Sequence, residues 1–201
     1  MKNVFPICLL MAFLLVMSTN SYAQTPFGGK PQTIPGRIEA ENFDLGGEGK
    51  GYHDRSTSKN PGLGYRLDEA VGIKGMSLPA GKPAWYQSND GSPTVGWFFV
   101  GEWLKYTVDV KAGTYDINLR IATPMNHKAF NIYLDNKLIA YIQVPNTGEY
   151  NRWITVHHRG VKIQKDGPAI LKIEAGGMDL DECDVNWIEF LPANKMYSNF
   201  L

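Results

Sequence analysis

GEWLKYTVDVKAGTYDINLRIA, residues 101–122, reads as two strands joined at a short break. In its second half Tyr115, Ile117, Leu119 and Ile121 occupy every other position. Side chains two apart on a strand share a face, so this pattern predicts one buried and one polar face. In its first half Trp103, Tyr106, Val108 and Val110 give the same alternation with one slip. The pattern recurs on both sides of this stretch. AFNIYLDNKLIAYIQV (129–144) breaks at Asp135-Asn136, a pair suited to a tight hairpin turn. RWITVHHRGVKI (152–163), GPAILKIEAG (167–176) and CDVNWIEF (183–190) follow, separated by Gly, Asp and Pro turns. No segment keeps a helical period over three turns. Short strands at regular spacing predict an all-β fold, an antiparallel β-sandwich of jelly-roll type.

The ends read differently. Residues 1–23 carry one basic residue, Lys2, then the apolar run ICLLMAFLLVM and a polar stretch with small Ser21 and Ala23. That is the layout of a secretory signal peptide cut near Ala23, and the run is shorter than the ~20 residues a spanning helix needs. The expected location is secreted, periplasmic or cell-surface, with no membrane insertion after cleavage. Residues 24–33 are rich in Pro, Gly and Thr and read as a leader or linker. The domain is expected over 34–191, with 192–201 as a C-terminal tail.

The chain has 20 Lys+Arg and 20 Asp+Glu. Near-neutrality gives no electrostatic basis for a nucleic acid partner. Of the two cysteines, Cys8 lies in the signal segment and Cys183 stands alone, so no internal disulfide is expected. A secreted domain without disulfides needs a large core or another staple, such as a bound metal. Cys183 has no supporting His motif and reads as a small buried residue. His53, His127, His157 and His158 are scattered.

RIEAENF, residues 37–43, places Glu39 and Glu41 two apart between Ile38 and Phe43. On a strand they would lie on one face, roughly 7 Å apart at ~3.3 Å per residue. A cation such as Ca²⁺, which takes several hard oxygens, is the better use of such a pair. Acids on opposite sides of a sugar, as glycoside hydrolysis requires, are not what this spacing gives. A small glycosidase drawing on DLDECD (Asp179, Asp181, Glu182, Asp184) is the enzyme alternative. The Gly-, Ser- and Asn-rich region from Gly46 to Gly81 is long for a structureless loop, which points to function.

Among five tryptophans, Trp103, Trp153 and Trp187 sit in strand patterns and are expected in the core. Trp97, after NDGSPTVG, and Tyr150, in VPNTGEYNRW, fall outside them. Aromatics on loops suit flat apolar partners, including the faces of sugar rings.

These motifs resemble carbohydrate-binding module family 6. IEAENF is similar to that family's opening. GGEGKGYHD and GYRLDEAVGI are similar to the longer members attached to agarases and related polysaccharide-degrading enzymes. VGWFFVGEWLKYTVDVKAGTYDINLRIA, VPNTGEYNRW and VNWIEF follow in the family's order, from about Ile34 to Phe190. The resemblance implies a jelly-roll sandwich with a structural calcium, sugar binding at loops joining the sheets, and no catalysis by this domain. It places Glu39, Glu41 and Asn186 as calcium ligands and Trp97 and Tyr150 as rings clamping one sugar. Asp184 matches a residue that hydrogen-bonds the sugar, and Tyr65 would add a third aromatic wall. The expected partners are a neutral polysaccharide or oligosaccharide and, through the resemblance, a polysaccharide-degrading enzyme domain on a longer chain. The last strand departs from the pattern, reading Asp184-Val185-Asn186 where the family has Asn and then Asp. The cation site loses a charge, and the sugar site gains a carboxylate that accepts but does not donate. Tyr150, where the family usually has Trp, offers less stacking area. A structural or assembly domain that no longer binds sugar is the remaining alternative.

Overall fold

The computed structural model describes residues 23–56, 65–126, 128–178 and 182–193. The expected signal peptide up to residue 22, most of the expected tail, His127, Asp179 and Asp181 lie outside the described residues. Twelve strands are described: β1 (Gln32–Ile34), β2 (Gly36–Glu39), β3 (Tyr52–His53), β4 (Ile73–Lys74), β5 (Thr94–Phe99), β6 (Trp103–Val110), β7 (Gly113–Ala122), β8 (Lys128–Leu134), β9 (Lys137–Val144), β10 (Ile154–Ile163), β11 (Gly167–Gly177) and β12 (Glu182–Pro192). They form two sheets. One has the order β1-β6-β11-β8-β9, with β3 also on β6; the other has the order β10-β7-β12-β5-β4, with β2 on β12. All pairings are antiparallel except β1 with β6. This is the predicted β-sandwich. From β5 onward the chain changes sheet at every connection except β8–β9, so the connecting loops gather at the sandwich ends.

The alternation in β7 holds: Tyr115, Ile117, Leu119 and Ile121 are all buried. They face Phe130, Ile132, Leu171 and Ile173 of the opposite sheet in one continuous core. Each such side chain contributes roughly 1.5–3 kcal/mol on burial. The hairpin turn also holds, with Asp135 and Asn136 at φ 48° and 66°, the left-handed pair that a two-residue β8–β9 connection requires.

Three expectations are corrected. β6 has no slip: Leu104, Tyr106, Val108 and Val110 point inward, and Trp103 points out to stack with His53 and Lys105. Trp153 and Trp187 are likewise partly exposed, because Leu, Ile, Val, Phe and Tyr already fill the space between the sheets. Residues 24–33 are not a linker. Thr25 pairs with Leu45, Gln24 donates to Asp44, Phe27 packs on Tyr65, and β1 joins the ladder of β6. The region 46–81 is also partly ordered into the sandwich, supplying Tyr52, Val71 and Ile73 to the core. Cys183 is buried and free, and burial pushes its thiol up, which removes it as a nucleophile.

Candidate functional site

The aromatic site is built by a bulge. Val95 pairs with Val185 and Phe98 with Cys183, so Gly96 and Trp97 together oppose the single residue Asp184. Such a bulge re-aims the side chain at the extra position. Trp97 stands there at φ 52°, a left-handed conformation that costs a non-glycine residue about 1–3 kcal/mol. Its indole is seated against Gly72, where a Cβ would come within 2.6 Å of Cε3. Tyr150 arrives from the loop between β9 and β10. Burial, with the Glu182 carboxylate nearby, pushes its phenol up.

The two expected rings converge. The Lys74 ammonium lies 5.0 Å from the centroid of Trp97 and 5.0 Å from that of Tyr150. A short 3₁₀ turn, Ala84–Tyr86, extends the cluster: Trp85 and Tyr86 sit 6.1 and 5.1 Å from Trp97. Trp85 is 40% exposed and half-buried Trp97 lies behind it. The sequence reading gave no role to Trp85 or Tyr86, although adjacent aromatics in a Pro/Gly-rich segment outside any strand pattern were a usable signal.

Asp184 is not open to a ligand as expected. It is fully buried and forms an ion pair with Lys74. Burial pushes its carboxyl up to about 7, against the opposing pull of Lys74. One oxygen, Oδ1, is buried without a hydrogen-bond partner. Lys74, at the end of the edge strand β4, was not singled out from sequence, because it falls in the Gly46–Gly81 region that reads as loop, where a lysine is ordinarily solvated.

The second expected group is divided. β2 ends at Glu39, and Glu41 lies in the 3₁₀ turn Ala40–Asn42 rather than on the same strand. Glu41 is 4% exposed, and its Oε2 has no hydrogen-bond partner. Burial foremost, and the charge of Glu39 after it, push its carboxyl up to about 8. Glu39 is raised too, by burial. Asn186 is not joined to them by a hydrogen bond. As the extra residue of a second bulge, against β7, it accepts from Ser92 Oγ (2.8 Å) and donates to Asp90 Oδ2 (2.8 Å). Asp90 in turn takes a two-pronged contact from Arg120.

Tyr65 is placed with this second group. Its hydroxyl donates to Asn42, and its ring lies 5.9 Å from Phe27. The neighbouring Arg66 donates to the carbonyls of Glu41, Phe43 and Asp44 and pairs with Glu69. That side chain fastens the turn carrying Glu41.

The family described as carbohydrate binding module (family 6) matches this chain over residues 78–192. Among solved structures, a beta-1,3-glucan binding CBM6 from Bacillus halodurans superposes with a TM-score of 0.56 at 22% identity, covering 82% of this chain and 100% of that one. A family 6 module from Clostridium cellulolyticum, solved in complex with xylose, gives 0.56 at 18% identity, covering 80% and 99%. A family 43 arabinoxylan arabinofuranohydrolase from Bacillus subtilis gives 0.55 at 17% identity, over 82% of this chain and 28% of that enzyme.

Proposed function

The chain belongs to carbohydrate-binding module family 6, and from that membership we propose that it is a secreted, non-catalytic module that holds a neutral polysaccharide against Trp97 and Tyr150. The observation that carries the proposal is the convergence of these two rings, from a strand bulge and a separate loop, on one point. Ring faces of this kind match the flat apolar faces of sugars, and the exposed Trp85 beside them widens the platform. That similar modules are described as binding beta-1,3-glucan or as complexed with xylose supports a glycan of that neutral class. The non-catalytic reading is supported by Asp184, the described acid of the 182–184 segment that is sealed with Lys74.

A structural calcium fits Glu39 and Glu41. A buried carboxylate with an unpartnered oxygen, beside a second carboxylate, is the donor set of a hard cation. Bound there, the ion would supply the charge that lets both groups ionise out of water. Export with a cut near Ala23 rests on the sequence of residues 1–23, a lone Lys2, an apolar run and small Ser21 and Ala23.

The test is affinity electrophoresis of the protein lacking residues 1–23, with calcium, through gels holding soluble β-1,3-glucan, xylan, a β-1,4-glucan or an acidic polysaccharide. Retardation by a neutral glycan that is lost in Trp97→Ala is the expected result. No retardation in any gel would overturn the proposal in favour of a structural domain.

A further inference from the structure

Lys74 is 1% exposed, and an ammonium is buried only at a cost unless it is paired. Its pairing is specific. The side chains of Lys74 and Asp184 are 2% and 0% exposed, and their contact joins residues 110 positions apart. The ammonium is equidistant from two rings carried on different elements. A cation over an aromatic face is attracted by the ring quadrupole, more so away from water. Asp184 is also the residue that Gly96 and Trp97 oppose, at the bulge where Trp97 keeps its left-handed backbone. Room for the pair is reserved by Gly96: a Cβ there would stand 2.5 Å from Lys74 Cε and 3.1 Å from Asp184 Oδ1. One ammonium therefore ties both rings to one carboxylate, and that carboxylate belongs to the residue opposite the bulge that carries the first ring.

We propose that Lys74, through Asp184, is the positioning residue of the sugar site, setting the separation and tilt of the Trp97 and Tyr150 faces without touching the ligand. This rests on the reading of those rings as the binding site. Because the pair is sealed and mutually neutralising, the site offers a ligand ring faces rather than a free charge. Retention of a neutral glycan is then insensitive to ionic strength.

The test replaces both charges at once, Lys74→Met with Asp184→Asn, so that neither is left buried alone. The near-ultraviolet circular dichroism of Trp97 is isolated in each background by subtracting the spectrum of the Trp97→Phe form. Retardation is measured in soluble β-1,3-glucan and xylan gels. The expected result is a cooperatively melting protein whose Trp97 signal collapses and whose retention weakens about tenfold, the scale of one well-placed ring contact. Gly96→Ala, which crowds Lys74 without removing it, shifts both readouts the same way and serves if the double variant fails to fold. An unchanged Trp97 signal with wild-type retention would overturn the positioning role. A collapsed signal in a protein that no glycan retards even as wild type would support the positioning role and overturn the function instead.

Discussion

Glu41 makes stability depend on pH and, through the calcium proposed for it, on that ion as well. Its carboxyl is pushed from 4.5 up to about 8 in the folded protein, chiefly by burial. In the unfolded chain it returns to the ordinary value. Between those two values the folded state holds a proton that the unfolded state lacks, so stability falls as pH rises. The loss begins near pH 4.5 and is complete above about pH 8. Each pH unit in that window costs about 1.36 kcal/mol, so the whole interval carries at most about 4–5 kcal/mol. For a domain of this size that is a fall of roughly 10–15 °C in melting temperature. The proposed calcium, once bound, would supply the missing positive charge, keep the carboxylate ionised and remove the slope. At a hundred times its dissociation constant it adds about 2.7 kcal/mol. Thermal melts at pH 5, 6.5 and 8, in EDTA and in calcium, would be compared for the wild type and Glu41→Gln. Glu39, Glu102, Asp54 and Asp184 are also raised by burial and tilt the curve the same way, so the difference between the two proteins isolates the share of Glu41 together with its coupling to Glu39. The wild type is expected to lose its extra slope when calcium is added, while the Gln variant has neither that slope nor a calcium response. Identical pH curves for both proteins in EDTA, with no calcium shift in either, would refute the reasoning.

Three other outcomes follow from the packing. Leu104→Ala should cost about 2–5 kcal/mol in denaturant unfolding, whereas Trp103→Ala next to it should cost about 1 kcal/mol or less, because only Leu104 faces the core. Lys74→Met alone should cost about 3–5 kcal/mol by leaving Asp184 buried and unpaired; the same change with Asp184→Asn should cost clearly less, and equal costs would mean the ion pair carries no coupling. Asn136→Ala should lose about 1 kcal/mol at its φ of 66°, and Asn136→Gly should not, as read from thermal melts.

The sandwich was legible where a strand has one apolar and one polar face. β7 reveals itself because Asp116, Asn118 and Arg120 separate its core residues, and the β8–β9 turn because Asp-Asn tolerates left-handed backbone. β6 misleads because Trp103 on its outer face is as apolar as Leu104 on its inner one, so the phase was set by the larger ring. Residues 24–33 mislead for a related reason. Their Pro/Gly composition disfavours regular structure, yet β1 needs only three residues to complete the edge beside β6. Trp97 and Tyr150 stood out because they break the strand pattern. Tyr65 breaks it as well and belongs to the Glu41 turn, so breaking the pattern marks a candidate and does not place it.

What the sequence concealed is the matching of the two departures in the last strand. An acid at 184 and an amide at 186 looked like a sugar site made too negative and a cation site made too weak. In the fold the acid is met by Lys74, 110 positions earlier, and the amide by the carboxylate of Asp90, 96 positions earlier. Neither partner is visible as such in a linear reading, because each depends on a bulge. Two residues of β5 against one of β12 turn Trp97 onto Lys74, and an extra residue of β12 against β7 turns Asn186 toward Asp90. Charge is thus conserved locally around Asp184 and displaced around Asn186, where Arg120 already neutralises the new carboxylate. The aromatic site therefore keeps a neutral floor, and any cation must rely on Glu39 and Glu41 for its charge. On this account Glu41→Gln should abolish the calcium response, while Asp184→Asn paired with Lys74→Met should leave it intact.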